Sequence, residues 1–150
     1  MLLNTRVFGE VEVAEDRIIE MPNGIVGFPD LKQFVLMHNE EKSDGRIGWF
    51  VSVDEPAFAL PVMDPLAALD EYNPEVEDEL FNPIGGFSEN DMLVLVTITI
   101  PKGNIQGMTV NLKAPIIINA ASKKGTQIIV ESDEYQIKYP VYDALQALKG

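Results

Sequence analysis

The sequence predicts a mainly β fold: a small antiparallel β-barrel-like or sandwich domain carrying two or three short helices. Three observations lead there. The apolar segments are short and rich in Val and Ile. Clusters of Gly, Pro, Asn and Asp separate them. In "MTVNLKA" the apolar Val110, Leu112 and Ala114 alternate with Thr109, Asn111 and Lys113, as in a sheet with one buried face and one wet face.

The candidate strands run in order as "VFGEVEV" (7–13), "RIIEM" (17–21), "KQFVLM" (32–37), "GWFVSV" (48–53), "AFALPVM" (57–63), "MLVLVTITI" (92–100), "MTVNLKAPIIIN" (108–119), "TQIIVES" (126–132) and "YQIKY" (135–139). Between them, "PNGIVGFPD" (22–30) and "EKSDGRIG" (41–48) read as turns. "IPKGNIQG" (100–107) reads as a loop and "ASKKGT" (121–126) as a hairpin connection. Two breaks in the strand pattern read as helices. Asp64 with Pro65, and Asn73 with Pro74, each pair an N-cap residue with a proline at the first helical position, where the missing amide costs nothing. In the second, Val76 and Leu80 fall one turn apart on a shared face. Glu75, Glu77, Asp78 and Glu79 then occupy the other faces, near the positive end of the helix. The C-terminal "YPVYDALQALKG" spaces Val141, Leu145 and Leu148 helically and ends in Lys149 and Gly150. Nothing repeats at a fixed period and no linker divides the chain. One β domain over residues 1–140 with a helical tail at 141–150 is the expected organisation.

With 150 residues the chain is long enough for one self-sufficient core. It has no cysteine, which excludes disulfides and thiolate metal sites. It lacks an export signal, and no apolar run reaches the ~20 residues of a membrane span, so a cytoplasmic protein is expected. The 24 acids and 11 bases leave a net charge of −13. That field repels phosphate backbones and anionic headgroups, which argues against direct nucleic-acid or membrane binding, and it speeds encounter with a basic partner.

Motifs for chemistry are sparse. His38 is the sole histidine, placed where a strand ends, so neither a zinc site nor a Ser-His-Asp arrangement has the residues it needs, and no Gly-x-Ser-x-Gly elbow occurs. "SKKGT" lacks the order of a phosphate loop, and "EKSDG" and "SENDM" lack the ligand spacing of a calcium loop. No catalytic residue, metal or cofactor is expected. Trp49, Phe50 and Phe58 read as core. Tyr72, set among acids, reads either as an interface anchor or as a lid over the core.

Three longer runs carry a family resemblance: "NTRVFGEVEVAEDRIIEMPNGIVGFPDLKQFVLM", "WFVSVDEPAFALPVMDPLAALDEYNPE" and "MTVNLKAPIIINAASKKGTQIIVESDEYQIKYP". Within them stand the Pro-Asn-Gly-Ile-x-Gly-Phe turn at 22–28, Ser52-Val53-Asp54 with Pro56, Asp64-Pro65, and Asn111-Leu112 with Ala114-Pro115-Ile116. From about Asn4 to Pro140 the chain resembles the flagellar assembly factor FliW family. It departs from the family pattern at Val26, where Pro is usual, at Met21, where Phe is common, and in the tail.

The resemblance implies a compact, non-catalytic β-barrel-like domain that acts by partner switching. Such proteins bind the RNA-binding translational repressor CsrA and relieve its repression of flagellin synthesis, and they are themselves sequestered by flagellin. The stretch "LDEYNPEVEDEL" (69–80), with six carboxylates and no base, then acquires a role. Asp70, Glu71, Tyr72, Glu75, Glu77, Asp78 and Glu79 are the expected CsrA-facing surface, opposing the basic surface that an RNA binder must present. The row Thr109, Asn111 and Lys113 is a second surface. Antagonism runs either by phosphate mimicry in the RNA groove or by docking beside it. The alternative function is a flagellin-specific chaperone that shields a terminal segment in an exposed apolar groove.

Overall fold

The computed structural model describes residues 1–38, 47–69, 71, 72, 74, 78–86 and 91–144, and strands make up its scaffold. A hairpin of β1 (Leu2–Thr5) and β2 (Gly9–Glu12) opens the chain. There follow β3 (Ile19–Glu20), β4 (Gln33–His38), β5 (Ile47–Ser52), β6 (Ala59–Met63), β7 (Met92–Thr99), β8 (Thr109–Val110), β9 (Ile116–Asn119), β10 (Lys124–Gln127) and β11 (Tyr139–Pro140). The order β7-β6-β5-β4-β3-β10-β9 closes on itself because β9 also pairs with β7, giving a seven-strand barrel. β8 and β11 extend the same sheet past the barrel. Of the two expected architectures, the barrel is the one formed.

Pairing is antiparallel throughout except between β3 and β10, which meet in parallel at the one bridge Lys124↔Glu20. The Glu20 amide donates to the Lys123 carbonyl at 2.9 Å. Two residues on, the next donor along that edge would be residue 22, a proline with no N–H, so the ladder stops.

Phe34 and Phe50 stack inside the barrel, centroids 4.5 Å apart and planes 7° off parallel. Met21, Val62, Leu95, Ile116 and Ile118 complete this core. On the outer side, the β1–β2 hairpin lies over β4, β5 and β6, so Leu3 and Val13 pack with Val35, Val51 and Ala59. Adjacent residues of β5 point to opposite faces, yet Phe50 and Val51 are both fully buried, because both faces are covered. Burying each ring of the Phe34–Phe50 pair contributes roughly 2–3 kcal/mol. Trp49 and Phe58 are half-buried: Trp49 joins the outer layer and Phe58 packs on Phe28 at 4.5 Å.

Several expected strands are shorter than their apolar runs. "MTVNLKAPIIIN" is two strands, because the Asn111 Oδ1 accepts the Lys113 amide at 3.0 Å in a side-chain turn and Pro115 follows. Val110, Leu112 and Ala114 are buried as the alternation requires, and Thr109, Asn111 and Lys113 are half-buried. "YQIKY" contributes only Tyr139, with Pro140, to β11. β10 begins at Lys124 rather than Thr126, and β1 was not legible at all. The turn at 22–30 is as expected: Gly24 and Gly27 have φ of 66° and 87°, and a Cβ on Gly24 would sit 2.5 Å from the Phe28 carbonyl oxygen.

Asp64 caps a 3-10 turn at Pro65–Ala67, its Oδ1 accepting the Leu66 amide at 2.9 Å. The second helix is also 3-10, at Asp78–Ile84, with Pro83 inside it; Pro74, expected at its first position, is not helical, and Asn73, its expected cap, lies outside the described residues. Leu80, expected on its buried face, is 42% exposed; Phe81 and Ile84 are buried instead, against Ile117 and Ile128 of the barrel wall. Val76 lies outside the described residues. Val141 is buried with Met108, Val110 and Leu112, and one helical turn begins at 142–144; Leu145 and Leu148 lie outside the described residues. So do residues 41–46 of the "EKSDGRIG" turn and 88–90 of "SENDM". Among the described residues, no helix is long and apolar enough to cross a membrane.

Candidate partner-binding face

The expected site residues divide by where the fold places them. Asp70, Glu75 and Glu77 lie outside the described residues, as does the side chain of Asp78, whose backbone starts the 3-10 turn. Glu71 and Glu79 are exposed, and Tyr72 and Asn111 are half-buried.

Tyr72 and Asn111 are brought together. The Tyr72 hydroxyl donates to the carbonyl of Leu112, the residue after Asn111, at 2.5 Å. Its ring meets Tyr135 edge-on, centroids 4.8 Å apart at 71°, and joins the cluster of Met63, Val96, Ile98, Met108, Val110 and Leu112. Burial, and secondarily Tyr135, push its hydroxyl well above the ordinary tyrosine range, so it stays a neutral donor. Of the two readings, the lid over the core is the observed geometry, and it ties Tyr72, the neighbour of exposed Glu71, to the 111–114 loop. Asn111 spends its Oδ1 on the Lys113 backbone amide, and its backbone N–H donates to the Thr97 carbonyl at 3.0 Å. Its head group thus shapes the loop.

Glu79 faces a different feature, a surface groove of about 990 Å³ between the 3-10 turn and the chain that continues from β10. Leu80 and Pro83 form one wall, and Thr126 to Ile129 with Glu131 form the other. The chain then runs from this groove to Tyr135, passing Glu131, Asp133 and Glu134, all exposed. The Lys113 Nζ lies 3.9 Å from the Asp133 Oδ1. Glu131 falls inside the expected 126–132 strand, and Asp133 and Glu134 fall in the two-residue gap before the expected strand at 135–139, so the sequence reading did not single out these three acids. The signal was there in "ESDE", three carboxylates in four residues, which suits a turn. The continuous feature is therefore Tyr72–Tyr135 at one end, the groove at the other, and an acidic turn between.

The Asp78–Ile84 turn is held on the barrel by Asn119. Its Nδ2 donates to the Ile84 and Gly86 carbonyls at 3.1 and 3.4 Å, while its Oδ1 accepts the Ala121 and Ser122 amides at 3.0 and 3.3 Å. The Ser122 hydroxyl adds a 2.7 Å bond to the Ile84 carbonyl. Glu79 and Leu80 are thus presented from a fixed turn. Among the described residues, no group of three or more His, Asp or Glu is placed to hold a metal. Exposed carboxylates on anchored turns, beside a groove of mixed polar and apolar lining, are suited to recognising another macromolecule.

A family model described as FliW protein matches residues 2–141. The flagellar assembly factor FliW of Lachnospira eligens is 44% identical over 148 residues, covering 97% of each chain. Its counterpart in Lachnoclostridium phytofermentans is 42% identical over 147 residues, 97% of this chain and 94% of that one. A crystal structure of the flagellar assembly factor FliW superposes with a TM-score of 0.86 at 27% identity, covering 95% of this chain and 97% of the other. A family match across almost the whole sequence, relatives at 42–44% identity and a shared barrel together establish that the chain belongs to the FliW family and has its role in flagellum assembly.

Proposed function

We propose that this chain is a non-catalytic cytoplasmic regulator that binds and antagonises CsrA, relieving repression of flagellin synthesis, and that flagellin in turn sequesters it. The observation that carries the reading is a net charge of −13 on a chain of the FliW family. An RNA-binding repressor must carry basic surface, and opposite fields raise association rates and orient the encounter. Asp70, Glu71, Tyr72, Glu75, Glu77, Asp78, Glu79 and Asn111 are the proposed contact set, with Glu131, Asp133 and Glu134 added from the neighbouring turn. The same charge disfavours direct contact with nucleic acid or anionic membrane. Acids docked beside the RNA groove would repel phosphates without entering it.

Calorimetric titration into the cognate CsrA, at low and high salt and with RNA bound, tests this. Expected is tight, salt-sensitive binding that survives RNA and is lost when Glu71, Glu75, Glu77 and Glu79 are changed to Lys. Loss of binding when RNA saturates CsrA would establish phosphate mimicry. No binding in any condition would refute the antagonist role and transfer support to the flagellin chaperone.

A further inference from the structure

The barrel has one seam where its ladder almost vanishes. β3 and β10 share the single bridge Lys124↔Glu20, and Pro22 prevents its continuation. Past that point the chain stays extended with one edge occupied: the amides of Ile128 and Val130 donate to the carbonyls of Pro115 and Lys113 at 3.1 and 2.7 Å. Alternate residues of an extended strand turn their polar groups to opposite edges. Ile129 therefore directs its N–H and C=O away from that pairing, and among the described residues neither has a backbone partner. Its side chain is 63% exposed.

This seam borders the groove described above. Leu80 and Pro83 face Ile129 across it with apolar surface, and Glu79 and Glu131 supply its charge. No Lys, Arg or His is among the described residues that line it. An unpaired edge beside apolar side chains invites a further strand. The net charge of −13 and the two glutamates select against a second copy of this chain and in favour of a basic segment.

We propose that the groove binds an extended peptide segment in which apolar residues alternate with Lys or Arg, added as a strand to the open edge at Ile129. The peptide backbone pairs with the Ile129 N–H and C=O, its apolar side chains cover Leu80 and Pro83, and its cations meet Glu79 and Glu131. The groove chemistry is the same whichever protein carries the segment.

The probe is a fluorescein-labelled peptide alternating Val and Lys, titrated with the full chain by anisotropy, against a Val/Glu peptide of equal length. The Val/Lys peptide should bind at least roughly tenfold more tightly, with amide shifts centred on residues 127–131 and 79–80 and slowed exchange of the Ile129 amide. Ile129→Pro removes that donor without breaking a backbone bond among the described residues, and should weaken binding by about tenfold or more. The Glu79→Lys/Glu131→Lys variant should abolish the preference for the basic peptide, and it decides the matter should Ile129→Pro fail to fold. No binding at about 1 mM, equal affinity for both peptides, shifts confined to other faces, or unchanged affinity in folded Ile129→Pro would each overturn the proposal.

Discussion

Replacing Tyr72 with Phe removes one oxygen and keeps the ring against Tyr135. The lost contact is the 2.5 Å bond to the Leu112 carbonyl. A hydrogen bond of this kind is worth about 0.5–1.5 kcal/mol net, and the abandoned carbonyl adds to the loss where water cannot reach it. Tyr72 is half-buried, so water recovers part of that penalty and the expected cost is about 1–1.5 kcal/mol. For a domain of this length that lowers Tm by roughly 2–6 °C. Urea denaturation followed by circular dichroism should show a lower midpoint at unchanged slope. The pH dependence adds a second signature. The Tyr72 hydroxyl is held above the ordinary tyrosine range in the folded chain, by burial first and Tyr135 second. Above a pH of about 10 the unfolded chain loses that proton while the folded chain keeps it, so its stabilising contribution is complete below that pH and falls as pH rises. Tyr72→Phe should lose this part of the alkaline decline. A variant with wild-type midpoint and wild-type alkaline profile would refute the claim that this hydroxyl pins the acidic segment to the 111–114 loop.

Asn119→Ala should cost about 2–4 kcal/mol by urea titration, because the side chain is 5% exposed and its loss removes a partner from the Gly86 carbonyl and the Ala121 and Ser122 amides, while the Ile84 carbonyl keeps the Ser122 hydroxyl. Gly24→Ala should cost about 2 kcal/mol or more in the same assay, since φ is 66° and the added Cβ would lie 2.5 Å from the Phe28 carbonyl oxygen. Reversing Glu71 and Glu79 to Lys should slow association with CsrA by roughly tenfold at low salt in stopped-flow measurements, and the difference should shrink as salt is raised. Equal rates at low salt would remove these two residues from the steering surface.

The β class was legible because it is written locally: Val and Ile runs bounded by glycine and proline, the Asp64-Pro65 cap, and the 110/112/114 alternation need no knowledge of the rest of the chain. Barrel closure was not legible, because the β3–β10 bridge joins residues more than a hundred positions apart and amounts to a single pair. The acidic helix shows tertiary contacts overriding a local pattern. Spacing placed Val76 and Leu80 on a buried face, but the barrel wall offers Ile117 and Ile128 as an apolar surface, and Phe81 with Ile84 fill it. Leu80 is thereby turned outward, into the wall of the groove. Tyr72 was identifiable as unusual from its acidic neighbours, but its partner Tyr135 stood in a segment that read as a strand. Glu131 stood in the preceding expected strand, and Asp133 and Glu134 in the two-residue gap between the two, too short to be read as an acidic turn.

Hydrogen exchange of this chain, free and bound to its cognate CsrA, tests the proposed antagonism most directly. The account predicts slowed exchange at 71–72, 79–80 and 129–135, with the β1–β2 hairpin unchanged. Protection confined to that hairpin, with the acidic turn and the groove exchanging as in the free chain, would contradict it.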